Sequence, residues 1–298
     1  MLEMGYYRYA EGFAISDFGF KKDKYELIKQ DYLIRNERWS DIIANAEKYT
    51  VHTPFWSESV NLALAMTGQL AQRQFSFYQS GEDALIMTMY RDMTSNLPSM
   101  EAFYRLGMTS ECFRYAFDLQ ESIPFGKRSG RLTKRIVECA IVQGKYDIAR
   151  KHLDLLKKSL FYRNWANNTE MYLGNEALIN SHPEYGKMRE YEFKEDFLYF
   201  YPEISKVFYH LFVSNTKNRL AMEYMIAQLL LEGDDYVFKQ VVGASVQYGF
   251  YPQLPYAYQD AIQCMQGQPG AGSRYIDYVH RMMGNNSAKG DMFGESSH

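Results

Sequence analysis

RLTKRIVECAIVQGKYDIARKHLDLLKKSL, residues 131–160, is the stretch whose reading decides the fold. Gln143–Ala149 (QGKYDIA) reads as a tight turn between two antiparallel helices. Gly144 permits the left-handed backbone that ends the first helix. Tyr146 opens the second helix and packs back on the first. Ala149 is small where the two helices cross closely. Leu153, Leu156 and Leu160 then continue an apolar stripe at spacings of three and four, the period of a helix with one buried face.

The same turn recurs upstream. In IRNERWSDIIANAEKY, Trp39 stands where Tyr146 stands, Ile42 where Ala149 stands and Ala46 where Leu153 stands. QLAQRQFSFY offers Phe75 and Tyr78 at the first two of these positions, and RLGMTSECFRYAFDL offers Gly107, Cys112 and Ala116. With Glu37, Arg73, Gly107 and Gly144 taken as equivalent, the intervals are 36, 34 and 37 residues. A tetratricopeptide repeat is about 34 residues of helix–turn–helix. The turns resemble that repeat, without its proline after the second helix. The expected fold class is therefore all-α: tandem helix–turn–helix repeats forming a TPR-like α-solenoid, in which each unit packs on its neighbours. No alternating strand pattern bounded by hairpin-turn residues competes with it.

Beyond Phe161 the rhythm breaks. Gly174, Pro183 and Gly186 predict short or kinked helices. Helical pattern resumes at residues 204–212 and 219–231, the latter apolar on most sides. LEGDDYVFKQVV, residues 231–242, reads as one more turn, at Gly233, and two prolines precede a short final helix in YPQLPYAYQDAI. The expected organisation is an N-terminal stub at 1–20, TPR-like repeats at 21–163, an irregular helical or capping region at 164–283 and a flexible polar tail at 284–298.

Apolar residues make up 46% of the chain and charged ones 23%, the composition of an ordered protein. The net charge of −3 argues against a nucleic-acid binder with a basic face. Cys112, Cys139 and Cys264 are far apart in sequence and form no C-x-x-C pair, so neither a disulfide framework nor a zinc site is expected. No apolar run reaches the about 18 residues of a membrane span, and MLEMGYYRYAEGF carries no signal-peptide core. These features fit a cytoplasmic protein or the soluble piece of an anchored one.

Signatures of catalysis are missing. The chain has no phosphate-binding glycine loop of either common type, and GAGS at 270–273 has no strand before it. Gly243-Ala-Ser245-Val-Gln247 lacks the second glycine of a nucleophile elbow. The histidines show no metal-binding spacing, and His152 and His210 are expected to be partly buried. Carboxylates cluster at Glu192, Glu195 and Asp196 and at Glu232, Asp234 and Asp235, where solvated helix ends explain them. No catalytic residue, cofactor or metal site is expected.

Charge is unevenly spread. Eleven basic residues lie between Lys127 and Arg163 against three acids, and residues 170–203 reverse the balance with eight acids against three bases. Lys127, Arg128, Arg131, Lys134 and Arg135 form the candidate contact surface, suited to an acidic or C-terminal-carboxylate partner.

FKKDKYELIKQDYLIRNERWSDII near the start, QGKYDIARKHLDLLKKSLFYRNWA in the centre and PYAYQDAI near the end resemble a family of uncharacterised bacterial membrane proteins. In its longer members a block of transmembrane helices precedes a TPR-like helical region. The resemblance implies that this chain is the soluble part of a membrane-associated protein, with Tyr6, Tyr7 and Tyr9 on the membrane-proximal side. It brings no activity and no catalytic residues.

Three functions follow as expectations. The first is a non-enzymatic interaction or scaffold module that receives another protein or a peptide on a concave helical surface. The second, prompted by 26 Tyr, 3 Trp and the carboxylate clusters, is a glycan-binding protein or an α/α-toroid carbohydrate-active enzyme. The third is a structural spacer or dimerisation region.

Overall fold

The computed structural model describes residues 22–87, 96–192 and 203–294, with side chains as far as residue 284. Within them the protein is all-helical, with sixteen α-helices, short 3-10 turns and no strand. The helices are α1 Lys22–Arg35, α2 Trp39–Ala46, α3 Pro54–Met66, α4 Leu70–Arg73, α5 Asn96–Arg105, α6 Thr109–Glu121, α7 Gly130–Val142 and α8 Tyr146–Leu156. They continue with α9 Arg163–Thr169, α10 Glu176–Ser181, α11 Pro183–Tyr191, α12 Ile204–Ser214, α13 Arg219–Glu232, α14 Asp235–Gln247, α15 Tyr256–Met265 and α16 Arg274–Gly294.

One turn geometry joins five pairs of successive helices. At Glu37, Gly68, Gly107, Gly144 and Gly233 the backbone is left-handed, and the next helix begins two residues later. The residue after each donates its N–H to the carbonyl five positions back: Arg38 to Leu33 (2.9 Å), Gln69 to Leu64 (2.7 Å), Met108 to Phe103 (2.9 Å), Lys145 to Ala140 (2.8 Å) and Asp234 to Leu229 (3.0 Å). This closure satisfies carbonyls that a helix end leaves unpaired and reverses the chain at once. Helix starts are fixed as locally: Thr53 Oγ1 accepts from Trp56 N at 3.3 Å ahead of Pro54, and Asp234 Oδ1 from Val237 N at 3.1 Å.

The turns at Glu37, Gly107, Gly144 and Gly233 lie where the sequence puts them, but the second in chain order is displaced. It sits at Gly68 and not at Arg73. Phe75 does not open a second helix, because its ring is taken up by Tyr275 and Tyr278 of α16, each with its ring centre 5.1 Å away. Helix α4 is a single turn, and Phe75 follows it in a 3-10 turn packed on α16.

Three helices are buried on nearly every side; in α5 nine of ten residues are buried. In α3, eleven of thirteen residues are buried, Trp56, Val60, Leu62 and Leu64 among them. In α13, ten of fourteen are. Each fully buried large apolar side chain contributes roughly 1.5–3 kcal/mol, so these helices anchor the fold. Helix α3 packs on α1, α2, α4, α5 and α13, and α15 also packs on α4. Packing therefore runs beyond sequence neighbours: the C-terminal helices return to the α3–α4 region. Buried amides stitch the return, with Gln74 Nε2 donating to Ala227 O (3.2 Å) and Gln228 Nε2 to Glu82 O (3.2 Å).

Helices α9 to α11 are short, as Gly174, Pro183 and Gly186 require. A Cβ on Gly186 would lie 2.3 Å from the Asn180 carbonyl oxygen, so only glycine lets α11 pass α10 so closely. Two expectations change at the C-terminus. The helix at Tyr256 is not the last, and α16 runs through the segment expected as a tail, to Gly294. No proline interrupts it, and extending a helix already nucleated and capped is cheap. Its cap is Asp260, whose carboxylate accepts from Arg274 N and Tyr275 N, both at 3.1 Å. The 1–20 stub, including Tyr6, Tyr7 and Tyr9, and residues 295–298 lie outside the described residues.

Candidate functional site

A charged cleft of about 330 Å³ opens where the C-terminal end of α1 meets α5 and α7. The end of α1 contributes Tyr32 and Arg35, the turn after it Glu37, α5 contributes Glu101, and α7 contributes Arg131, Lys134, Arg135 and Glu138. Tyr162 closes one side, with its ring so near Gly130 that a Cβ there would sit 2.5 Å from it.

A helix places residues three and four apart on one face, which is why Arg131, Lys134, Arg135 and Glu138 appear together. What they meet comes from elsewhere in the chain. Arg131 pairs with Asp31 of α1 and faces Glu101 Oε1 at 3.7 Å. Arg135 reaches Glu101 Oε2 at 2.6 Å and Glu138 Oε2 at 2.8 Å, while Lys134 lies 3.5 Å from Glu138 Oε1. Beneath them the Arg135 guanidinium stacks 3.9 Å from the centre of the buried Tyr104 ring. Arg105 extends the network to Glu37, and to Glu184 at 3.7 Å.

The acids respond differently to this setting. Burial pushes the Glu101 carboxyl up, but Arg135, Arg131 and Arg105 more than offset that and hold it below the usual carboxylate range. At Glu138 burial wins over Arg135 and Lys134, and its carboxyl is raised. Burial lowers the Arg135 guanidinium, yet Glu101 and Glu138 outweigh it and keep the charge fixed. A clasp of this kind holds α1, α5 and α7 together.

Of the five residues of the candidate surface, three line this cleft and two do not. Arg131 and Arg135 are mostly buried and engaged with acids of the same chain, and Lys134 is half-buried, its amine 5.2 Å from the centre of the Trp165 ring. Lys127 and Arg128 are exposed in the segment leading into α7. Sequence reasoning missed Asp31, Glu37, Glu101 and Tyr104. The usable signal was an acid inside an apolar helix: Glu101 lies in α5, whose residues are buried from Asn96 to Tyr104.

Residues 127–163 and 170–203 are tied to each other by an ion pair and by hydrogen bonds to backbone carbonyls. Lys157 bridges to Glu170 at 2.9 Å, and Arg189 pairs with Glu176 while donating to the carbonyls of Val142 (3.0 Å) and Ile141 (3.1 Å) at the end of α7. In the two carboxylate clusters, Glu192 accepts from Thr109 Oγ1 (3.0 Å), Glu232 from Gln228 Nε2 (3.1 Å), and Asp234 caps α14. Glu195 and Asp196 lie outside the described residues. Among the described residues no group of three or more His, Cys, Asp and Glu side chains could hold a metal ion.

His152 is buried against Phe117, whereas His210 stands exposed on α12 beside Tyr209, because the buried stripe of that helix runs through Phe208 and Leu211. Cys112 and Cys139 are brought together as free buried thiols; burial first and the Cys139 neighbour second push the Cys112 thiol well up. Apart from the cleft, Glu223 on α13 is a mostly buried carboxyl pushed up to about 7, with Arg219 as its counter-charge.

No helix among the described residues is long and apolar enough to cross a membrane. Comparison with curated proteins and with solved structures gives no match. A family model does match, over residues 3–284, and the chain belongs to that family, a family of unknown function (DUF6057).

Proposed function

We propose that this chain is a non-enzymatic interaction module, a TPR-like stack of helical hairpins that receives an acidic segment of another protein. The observation that carries the reading is the recurring left-handed turn, which sets α1, α5 and α7 as the first helices of their hairpins and lines one cleft with all three. Stacked hairpins of this kind expose their first helices to partners. The exposed positive charge is at Lys127 and Arg128, with half-buried Lys134 beside Glu138, whereas Arg131 and Arg135 hold the cleft together.

That division decides the test. Reversing Arg131 or Arg135 would strip buried acids of their partners and harm folding. The double variant Lys127→Glu with Arg128→Glu leaves the Glu101 clasp intact. Fluorescence anisotropy with Asp/Glu-rich peptides, ending in a carboxylate or an amide, is expected to show about tenfold weaker binding to the variant and weaker binding of both proteins at high salt. Equal binding by the two proteins removes this surface. The resemblance to bacterial membrane proteins adds a tether outside this chain. Recovery of the native gene product in a carbonate-washed membrane fraction supports the tether, and recovery in the soluble fraction overturns it.

A further inference from the structure

We infer that α1 is exchanged between two copies of this chain, through the turn at Glu37, to give a reciprocal dimer. The turn carries the argument. Four of the five tight turns place glycine at the left-handed position, and the first places Glu37 there, at φ 53°. L-residues with a Cβ are strained in that region, and glycine is not. Only Asn36, Glu37 and Arg38 separate α1 from α2. If Glu37 and the next residue, Arg38 (φ −85°, ψ 60°), adopt the ordinary helical region, α1 and α2 become one continuous helix, and α1 is carried away from its own seat.

The seat it leaves is polar. Helix α1 buries Glu26 and Gln30 alongside only Leu33 and Ile34. Glu26 is held by Asn45 Nδ2 at 3.0 Å, whereas neither amide atom of Gln30 has a hydrogen-bond partner, although the residue is fully buried. Further ties are Lys29 on Asn45 Oδ1, Lys22 over the Tyr49 ring, the Asp31–Arg131 ion pair and, from the turn, the Glu37–Arg105 pair.

These two facts act on different quantities. The α1 seat is the same surface whether filled by the chain's own helix or by the helix of a second copy, so its strength cancels from the equilibrium. What does not cancel is the turn: closed chains carry two strained Glu37 residues, and an exchanged pair carries none. Strain at a short hinge thus drives exchange. The seat sets the rate, because α1 must leave before it can be traded, and an imperfectly paired, ionic seat lets go early.

Two substitutions isolate the turn. Glu37→Ala and Glu37→Gly both remove the Arg105 pair, but only alanine retains the left-handed strain. In sedimentation of the full chain over a range of concentrations, the dimerisation constant of Glu37→Ala is expected to exceed that of Glu37→Gly by about tenfold or more. High salt should speed the approach to equilibrium by screening the ion pairs. Exchange itself is read by Lys22→Cys with Tyr49→Cys, a neighbouring pair outside the Glu101 clasp, in a Cys264→Ser background, joined with a short bis-maleimide. Links between chains in the dimer peak support exchange. A strictly monomeric chain, equal constants for the alanine and glycine variants, or links confined within single chains would each overturn it.

Discussion

The hairpins α1–α2 and α7–α8 close with the same backbone hydrogen bonds and are held by different chemistry. In α7–α8 the left-handed residue is Gly144, and the seam is Ile136, Val137, Ala140, Ala149, Leu153 and Leu156, all buried. Ser129 starts α7 and Arg189 closes its end. In α1–α2 the left-handed residue is Glu37, and half of what α1 buries is polar. The turn is thus a backbone geometry that glycine takes freely and Glu37 takes under strain. How firmly a hairpin sits is decided by what its helices bury.

The largest test is at Glu101, where the two seams are joined. Replacing Glu101 by Gln leaves Arg131 and Arg135 buried without their shared carboxylate, and about 3–5 kcal/mol of stability should be lost in urea at neutral pH. Because the folded-state carboxyl is held below its ordinary value, its contribution is present above the ordinary carboxylate range and is lost as pH falls through the folded value. The gap between Glu101→Gln and the parent should therefore narrow in acid. Equal sensitivity at all pH values would show that the clasp acts by shape and not by charge.

Glu223 gives the opposite sign, having one arginine where Glu101 has three. Its carboxyl is raised from an ordinary 4.5 to about 7, so folding favours the protonated form. Stability is full below the ordinary value and falls as pH rises through about 7. Glu223→Gln should then be about 2–3 kcal/mol more stable than the parent at pH 8 and close to it at pH 4. Thermal unfolding at the two pH values measures this.

Much of the hairpin pattern was legible because it is local. Gly107, Gly144 and Gly233 mark their own turns, and Tyr146, Ala149, Cys112 and Ala116 reveal their positions by spacing. The displaced turn at Gly68 was not legible, since Phe75 is claimed by α16, some two hundred residues on. The cleft was half legible for the same reason. Spacing three and four on α7 gathers Arg131, Lys134 and Arg135, but nothing local says that Asp31 and Glu101 neutralise two of them. Charge counted along a chain overstates a surface whenever its counter-charges arrive from distant helices.

The two turns can be made to trade places. Gly144→Ala imposes left-handed strain on the apolar hairpin and should cost about 1–2 kcal/mol. Glu37→Gly removes that strain from the polar one, and after the exposed Arg105 pair is lost the monomer should gain less than about 1 kcal/mol.

Gln30 is the finest probe of what the α1 seat lacks. Its amide is fully buried and without partners, so it carries a desolvation cost that no hydrogen bond offsets. Gln30→Leu keeps the shape roughly and removes the polar atoms, and a gain of about 1 kcal/mol is expected. The gain should be local. In hydrogen exchange the amides of α1 should open before those of α7 in the parent, and Gln30→Leu should slow α1 while leaving α7 unchanged. If α1 and α7 already exchange together, the polar seam is as firm as the apolar one, and the contrast between the two hairpins fails.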